Sequence, residues 1–224
     1  MSVISIQLGN NLYCKDPQST ELGKKIVLHS IKLISELGFE AFTFRKLSMQ
    51  IDSTEASIYR YFDNKHRLLV YLIAWYWAWM EYKIEYETHH LGNAQEKLDR
   101  IIRLITEKKV PDDTFPDIDE EALNKIVIAE SDKTYLTKRV DKDNQNGLFK
   151  GYKSLCDHIA ALISTINPNF TFAHALASTA LEASNQQVFF AEHLPSLTEL
   201  SQLEDPYSAN YHFVKNLIFK TIDA

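Results

Sequence analysis

Glycine and proline are scarce in this chain, with 6 of each in 224 residues. The long stretches between them repeat apolar residues at three- and four-residue steps and contain few alternating segments, so a mostly helical protein is expected. The six glycines form no phosphate-binding loop and no glycine-rich dinucleotide turn. Gly147 and Gly151 are correctly spaced for a nucleophile elbow, but Phe149 stands where such an elbow requires Ser. Cysteine is equally sparse. Cys14 and Cys156 provide neither a disulfide framework nor a metal spacing, and both are expected to be free thiols. No apolar run spans a bilayer, because the stretch from Leu68 to Met80 is too short and too rich in Tyr and Trp. The opening segment MSVISIQLGNN lacks the basic start and apolar run of a signal peptide. A cytoplasmic protein with no membrane partner is expected.

Metal and catalytic signals are missing in the same way. DKDNQNG resembles a calcium loop only faintly, since its glycine falls one place late and Tyr152 occupies the position of the bidentate glutamate. His89 and His90 are adjacent and would point apart on a helix. The reading is therefore a protein that is not an enzyme and carries no metal and no cofactor.

What is present is a sizeable apolar fraction, 45%, enough for a real core in one large domain or in a small domain joined to a larger one. The net charge of −6 hides an asymmetry. Residues 1–67 hold 9 Lys+Arg against 7 Asp+Glu, a balance of +2, and the remainder holds 15 against 23, a balance of −8. The positive end coincides with the stretch TFRKLSMQIDSTEASIYRYFDNKHRLL, residues 43–69. A phosphate-facing module requires that sign, although a bias this small is also common on solvated surfaces.

The chain divides by periodicity. A first helix runs from Ser19 or Thr20 to Leu37, with Gly38 as its stop. Thr43 is placed to cap a second helix reaching about Ile51, with Phe44, Leu47 and Ile51 on one face. Asp52 and Ser53 form a turn. Thr54 then caps a helix of about two turns in which Ile58 points inward and Glu55, Ala56 and Ser57 face out. Asp63 or Asn64 caps a long helix from Lys65. Further helices are predicted over 94–109, 119–133, 148–166, 171–194 and 206–222, separated by HHLGN, VPDDTFPDID, TKRVDKDNQNG, NPN and the stretch after Pro195.

With ELGFEAF before it, this ordered set resembles the N-terminal DNA-binding domain of the TetR family of transcriptional regulators, over about residues 22–70. The matching positions are Thr43, Leu47, Ile51, Thr54, Ala56, Ser57, Ile58, Tyr59, Tyr61, Phe62, Lys65, Leu68 and Leu69. Asp52 and Ser53 depart from the family, which usually has glycine and then valine there. Asp tolerates a left-handed backbone better than most non-glycine residues, so the turn survives.

The resemblance implies an all-α chain in three parts: a flexible arm (1–19), a three-helix helix-turn-helix domain (20–66), and a larger helical effector-binding and dimerisation domain (67–224). Double-stranded operator DNA is the expected partner. Thr43 and Thr54 offer hydroxyls and helix-start amides to phosphates, Tyr59 and Tyr61 offer phenols, and Lys65 offers a charge. Ala56 and Ser57 are small enough to enter the major groove. Arg45 is a candidate for guanine and Glu55 for cytosine, or both are ordinary surface residues.

Two features of the larger part bear on function. Ala173, Ala177, Ala180 and Ser184 form a stripe of small residues, and Tyr207, Tyr211, Val214, Leu217, Ile218 and Ile222 recur at helical steps near the end. Periodicity alone leaves open whether these pack within one chain or between two. The resemblance favours a homodimer through Ala173, Ala177, Ala180, Ser184, Tyr207, Tyr211, Val214 and Ile218, with recognition helices about 34–36 Å apart on a near-palindromic operator. Tyr71, Trp75, Tyr76, Trp77, Trp79, Tyr82 and Tyr86 crowd one helix. They serve a core, or some of them, with Trp75, Trp79, Tyr82 and Tyr86 as candidates, line a pocket for a small-molecule effector. Two functions are compatible with this reading. One is a ligand-responsive DNA-binding repressor; the other is an all-helical ligand-binding or interaction module that no longer binds DNA.

Overall fold

The computed structural model describes residue 6 and residues 8–111, 114, 115 and 118–223. Residues 1–5 and 7 of the expected arm, and 112, 113, 116 and 117 of the acidic break, lie outside the described residues. Among the described residues every regular element is a helix. In chain order these are α1 (Glu21–Leu37), α2 (Phe44–Gln50), α3 (Glu55–Tyr59), α4 (Lys65–Thr88), α5 (Ala94–Thr106), α6 (Glu120–Glu130), α7 (Asp132–Tyr135), α8 (Val140–Gln145), α9 (Lys150–Ile166), α10 (Ala173–His193) and α11 (Pro206–Ile222). Short 3₁₀ turns precede α1 and separate α10 from α11.

The helices start where side-chain oxygens replace the missing backbone acceptors. Thr20, Thr43 and Thr54 accept from the amides of Gly23, Lys46 and Ser57, at 3.1, 3.2 and 3.3 Å. Asn64 accepts from Arg67 N–H at 2.9 Å, which makes it the cap of α4. Asn93, Asp119 and Asp205 do the same for α5, α6 and α11. Gly38 ends α1 at φ 76°, a conformation open to glycine at little cost, and its N–H donates to the Ile34 carbonyl.

Two compact units emerge. The first is made of residues 1–78 and 109–150, the second of residues 79–108 and 151–224. This division departs from the boundary expected after residue 66. Residues of α6 pack with α4 and with the turn after α1 through buried polar contacts: Asn124 donates to the Tyr76 hydroxyl at 3.0 Å, and Glu130 accepts from the Phe39 amide at 3.0 Å. The segment resembling a calcium loop is largely helical. It forms α8, whose Asp143 is buried with its carboxylate 3.8 Å from Arg67 and 4.0 Å from His66. Burial pushes the His66 imidazole below its ordinary value, with Asp143 opposing that shift.

The core of the first unit is Ile26, Ile31, Phe42, Leu47, Ile58, Phe62, Leu68 and Leu69, all fully buried. The described part of the N-terminal arm is packed against it, not loose. Leu12 is 3% exposed, Cys14 N–H donates to the Tyr61 carbonyl at 2.8 Å, and Gln18 reaches the Ile6 carbonyl and the Tyr71 hydroxyl. Burial of Tyr71 raises its phenol above its ordinary value. Pro17 lies so close to α1 that a Cβ on Gly23 would stand 2.2 Å from its carbonyl oxygen.

In the second unit α10 and α11 pack on each other, and Asn210 donates to the Ser184 carbonyl at 2.8 Å. α11 also packs on α5 through Asp99, which accepts from Tyr211 Oη at 2.6 Å and Arg103 Nε at 3.2 Å and pairs with Lys215. The Arg103 guanidinium lies 4.1 Å from the Tyr211 ring centroid. Burial by itself would raise the Asp99 carboxyl, but hydrogen bonds from Lys215, Tyr211 and Arg103 outweigh it and hold the group below the usual aspartate value.

Gly23→Ala should cost about 1–3 kcal/mol, because the atoms it meets belong to the backbone. In a chain of this size that lowers Tm by roughly 2–4 °C per kcal/mol. Gly92→Ala, which meets nothing within 4 Å, should leave Tm unchanged, and calorimetry on both variants checks this. For Asp99 the folded pKa lies below the unfolded one. Its stabilisation is therefore complete above the unfolded value and is lost as pH falls through the folded one. The Tm gap between the native chain and Asp99→Asn should be widest near neutrality and close on acidification below about pH 4.

Candidate nucleic-acid interface

The turn between α2 and α3 carries the geometry that a groove-reading helix needs. Asp52 sits at φ 51°, and among the described residues it has the one positive φ outside glycine. The departure from glycine at this position is thus accommodated in a left-handed backbone. Ser53 N–H donates to the Ser48 carbonyl at 2.9 Å, which closes the turn without the apolar contact that valine would make. α3 has only 5 residues, and its fully buried Ile58 anchors it to the core.

Anchored this way, α3 leaves its small side chains outward. Ala56 and Thr54 are exposed, and Glu55 and Ser57 are half-buried. The Thr54 and Ser57 hydroxyls hydrogen-bond each other at 2.9 Å, which orients both next to the helix start. Thr43 and Arg45 on the second helix are exposed, and no hydrogen bond or ion pair to the Arg45 guanidinium occurs among the described residues. Tyr59 is 50% exposed, its ring edge-on to Phe44 at 5.0 Å and its hydroxyl without a protein partner among the described residues.

Two side chains expected to face DNA make their contacts within the chain. Tyr61 is 3% exposed and its hydroxyl shares a 2.7 Å hydrogen bond with Thr20, so it belongs to the core between α1 and the loop after α3. Tyr59 and Tyr61 diverge because α3 ends between them. Lys65 has turned inward. Its Nζ donates to the carbonyls of Phe39, Glu40 and Phe42 at 3.0, 3.2 and 3.3 Å and lies 4.6 Å from the Phe39 ring centroid. An ammonium has three protons, and three carbonyls take them. Lys46 likewise spends its charge on the Ala41 carbonyl at 2.8 Å.

The cation that sequence reasoning missed is Arg60, which caps the end of α3, is exposed, and like Arg45 has no protein partner among the described residues. The signal was the alternation around it: with Ile58 and Tyr61 buried, the residue between Tyr59 and Tyr61 takes the outward face.

The expectations for the larger part fare differently. Trp75 and Trp79 are 3% and 1% exposed, and Trp75 packs edge-on to Phe115 at 5.5 Å, so both are core residues. Tyr82 and Tyr86 stack at 6.5 Å and, with Glu85 and His89, line an open recess of about 420 Å³. The small stripe is used within the chain. Ala173, Ala177, Ala180, Ser184, Tyr211, Val214 and Ile218 are all buried, and Tyr207 is half-buried. The stripe admits α11 to α10 within the chain. Phe172, Leu194, Leu197, Leu203 and Phe213 are the large apolar side chains left exposed around these two helices. Among the described residues no group of three His, Cys, Asp or Glu is placed to hold a metal, and no helix is long and apolar enough to cross a membrane.

Comparison with known proteins agrees with this geometry. Residues 26–72 match the family described as bacterial regulatory proteins, tetR family. No curated protein matches the chain in sequence. Solved structures share the fold along most of its length. One is the transcriptional regulator FadR from Bacillus subtilis in complex with stearoyl-CoA, at TM-score 0.61 and 16% identity, covering 87% of this chain and 97% of the other. Another is AibR in complex with isovaleryl coenzyme A and operator DNA, at TM-score 0.59 and 13% identity, covering 88% and 98%. A third is the ketosteroid transcriptional regulator KstR2 of Mycobacterium tuberculosis, at TM-score 0.58 and 11% identity, covering 89% and 94%.

Lys65→Met removes three charge-assisted hydrogen bonds to one turn and should cost about 1–3 kcal/mol of stability in urea unfolding. Equal unfolding midpoints for variant and native chain would show the lysine to be dispensable to the turn.

Proposed function

We propose that this chain, whose residues 26–72 carry the DNA-binding segment of the tetR family of bacterial regulatory proteins, is a sequence-specific transcriptional repressor controlled by a small-molecule effector. The observation that carries this is α3, a short helix held from behind by Ile58 that offers Ala56, Ser57 and the flanking Tyr59 outward beside Arg45 and Arg60, which have no partner among the described residues. Arg45 and Glu55 read base edges, Ala56 and Ser57 approach the groove floor, and Thr43, Thr54, Tyr59 and Arg60 hold the sugar–phosphate backbone.

The operator is near-palindromic and the working form is a homodimer, since one short helix reads too few bases for specificity. Exposed Phe213, with Phe172, Leu194, Leu197 and Leu203, supports pairing through the surface around α10 and α11 and not through the buried stripe. The effector belongs to the larger helical part. Neighbours of this fold solved with acyl-CoA, one with a long acyl chain and one with a short one, support an acyl-bearing effector.

The full-length chain, mixed with sheared genomic DNA at low salt, should enrich one near-palindromic site, with affinity falling steeply as salt rises. Arg45→Ala should relax preference at one position of that site, whereas Arg60→Ala should weaken all sequences alike and reduce the salt slope by about 1. If no fragment is enriched, the helical module without DNA binding is the correct reading.

A further inference from the structure

The geometry points to Glu130 as a positioning residue for the DNA-reading face: from the last turn of α6 it holds the turn between α1 and α2, and through it the presentation of α2 and α3. The functional half of that role rests on the DNA-binding reading above; the structural half stands on contacts alone.

Glu130 is 7% exposed. Its Oε1 accepts the Phe39 amide at 3.0 Å, from a residue 91 positions earlier in the chain. Its Oε2 lies 2.7 Å from Lys133 Nζ, and that ammonium reaches back to Glu40 Oε1 at 3.0 Å. The Phe39 ring has the Lys65 ammonium 4.6 Å from its centroid and the Lys133 ammonium 5.9 Å away. On the carbonyl side of the same turn, Lys65 takes the oxygens of Phe39, Glu40 and Phe42. One turn is therefore clamped twice, its amide by a carboxylate of α6 and its carbonyls by an ammonium of α4. Hydrogen bonding to Glu130 holds the Lys133 ammonium above its ordinary value, and hydrogen bonding to Lys133 holds the Glu40 carboxyl below its own. Both shifts have the sign of charges kept in contact.

The clamp sits at the entrance to the two short helices. Thr43, the cap of α2, comes directly after Phe42, and α2 and α3 have 7 and 5 residues. Helices this short have little stability of their own and take their direction from the segments that hold their ends. Gly38 leaves the approach open, since even a Cβ at that position would lie 3.9 Å from Glu130 Oε1. The carboxylate thus reaches a bare peptide N–H that no other group satisfies among the described residues, which is the kind of buried donor that must be paired.

The test uses the full-length chain and the fragment recovered by genomic selection. Glu130→Ala should speed amide hydrogen exchange at Phe39 by about tenfold or more. It should also weaken binding to that fragment by about tenfold, at a temperature where the variant is fully folded. The slope of affinity against salt should not change, because no phosphate contact is lost. Glu130→Gln keeps an acceptor for the Phe39 amide and should stay close to the native chain in both readouts. Native-like binding or native-like Phe39 exchange in Glu130→Ala overturns the assignment, and so does a changed salt slope. Should Glu130→Ala fail to fold, Lys133→Met decides: faster Phe39 exchange supports the clamp and an unchanged rate overturns it. A native chain that enriches no fragment sinks the DNA-binding reading instead, and Phe39 exchange still decides whether the clamp exists.

Discussion

The helix-turn-helix end of this protein depends on satisfying the backbone of one turn. Between Gly38 and Thr43 the chain leaves α1 and enters α2 with its amide and carbonyl groups out of any helix. Lys65 and Glu130 meet those groups with full charges. A charged donor on three carbonyls and a carboxylate on one amide are stronger than the neutral bonds they replace, and in a part-buried setting water competes poorly for them. α2, the left-handed turn at Asp52, and α3 continue from that point with only a few buried side chains to hold them, chiefly Leu47 and Ile58.

That arrangement changes the meaning of a positive charge in this segment. Counted from the sequence, the end of the chain bearing α1 to α3 looks ready for phosphate. Lys46 and Lys65, however, spend their ammonium groups on backbone carbonyls, and Arg67 faces the buried Asp143. Beside the turn between α2 and α3, Arg45 and Arg60 keep their guanidinium groups free of protein partners among the described residues. The outward surface of α3 is thus a sparse one, in which small side chains and hydroxyls outnumber charges.

Much of the fold was legible because its signals are local. Thr20, Thr43, Thr54, Asn64 and Gly38 mark helix ends through bonds to residues at most four away, and those ends fell where expected. Ala56 and Ser57 faced out because Ile58 had to face in. Where the sequence left alternatives open, a partner distant in sequence decides. Tyr61 turned to Thr20, Lys65 to the Phe39–Phe42 carbonyls, Trp75 to Phe115, and the alanine stripe to α11 of its own chain. A stripe of small residues says that something comes close. It does not say whether that helix belongs to the same molecule.

By itself, then, the sequence determined an all-helical chain, the first three helices and their turn, the tolerance of Asp52 for a left-handed backbone and the resemblance that residues 26–72 bear to the tetR family of bacterial regulatory proteins. These depend on periodicity, caps and backbone preferences, which act over a few residues. Only the tertiary structure decided that residues 109–150 pack with the first helices, and that Glu130 and Lys65 share one turn. Those outcomes depend on which buried polar group meets which partner across dozens of residues, and no local preference encodes that choice.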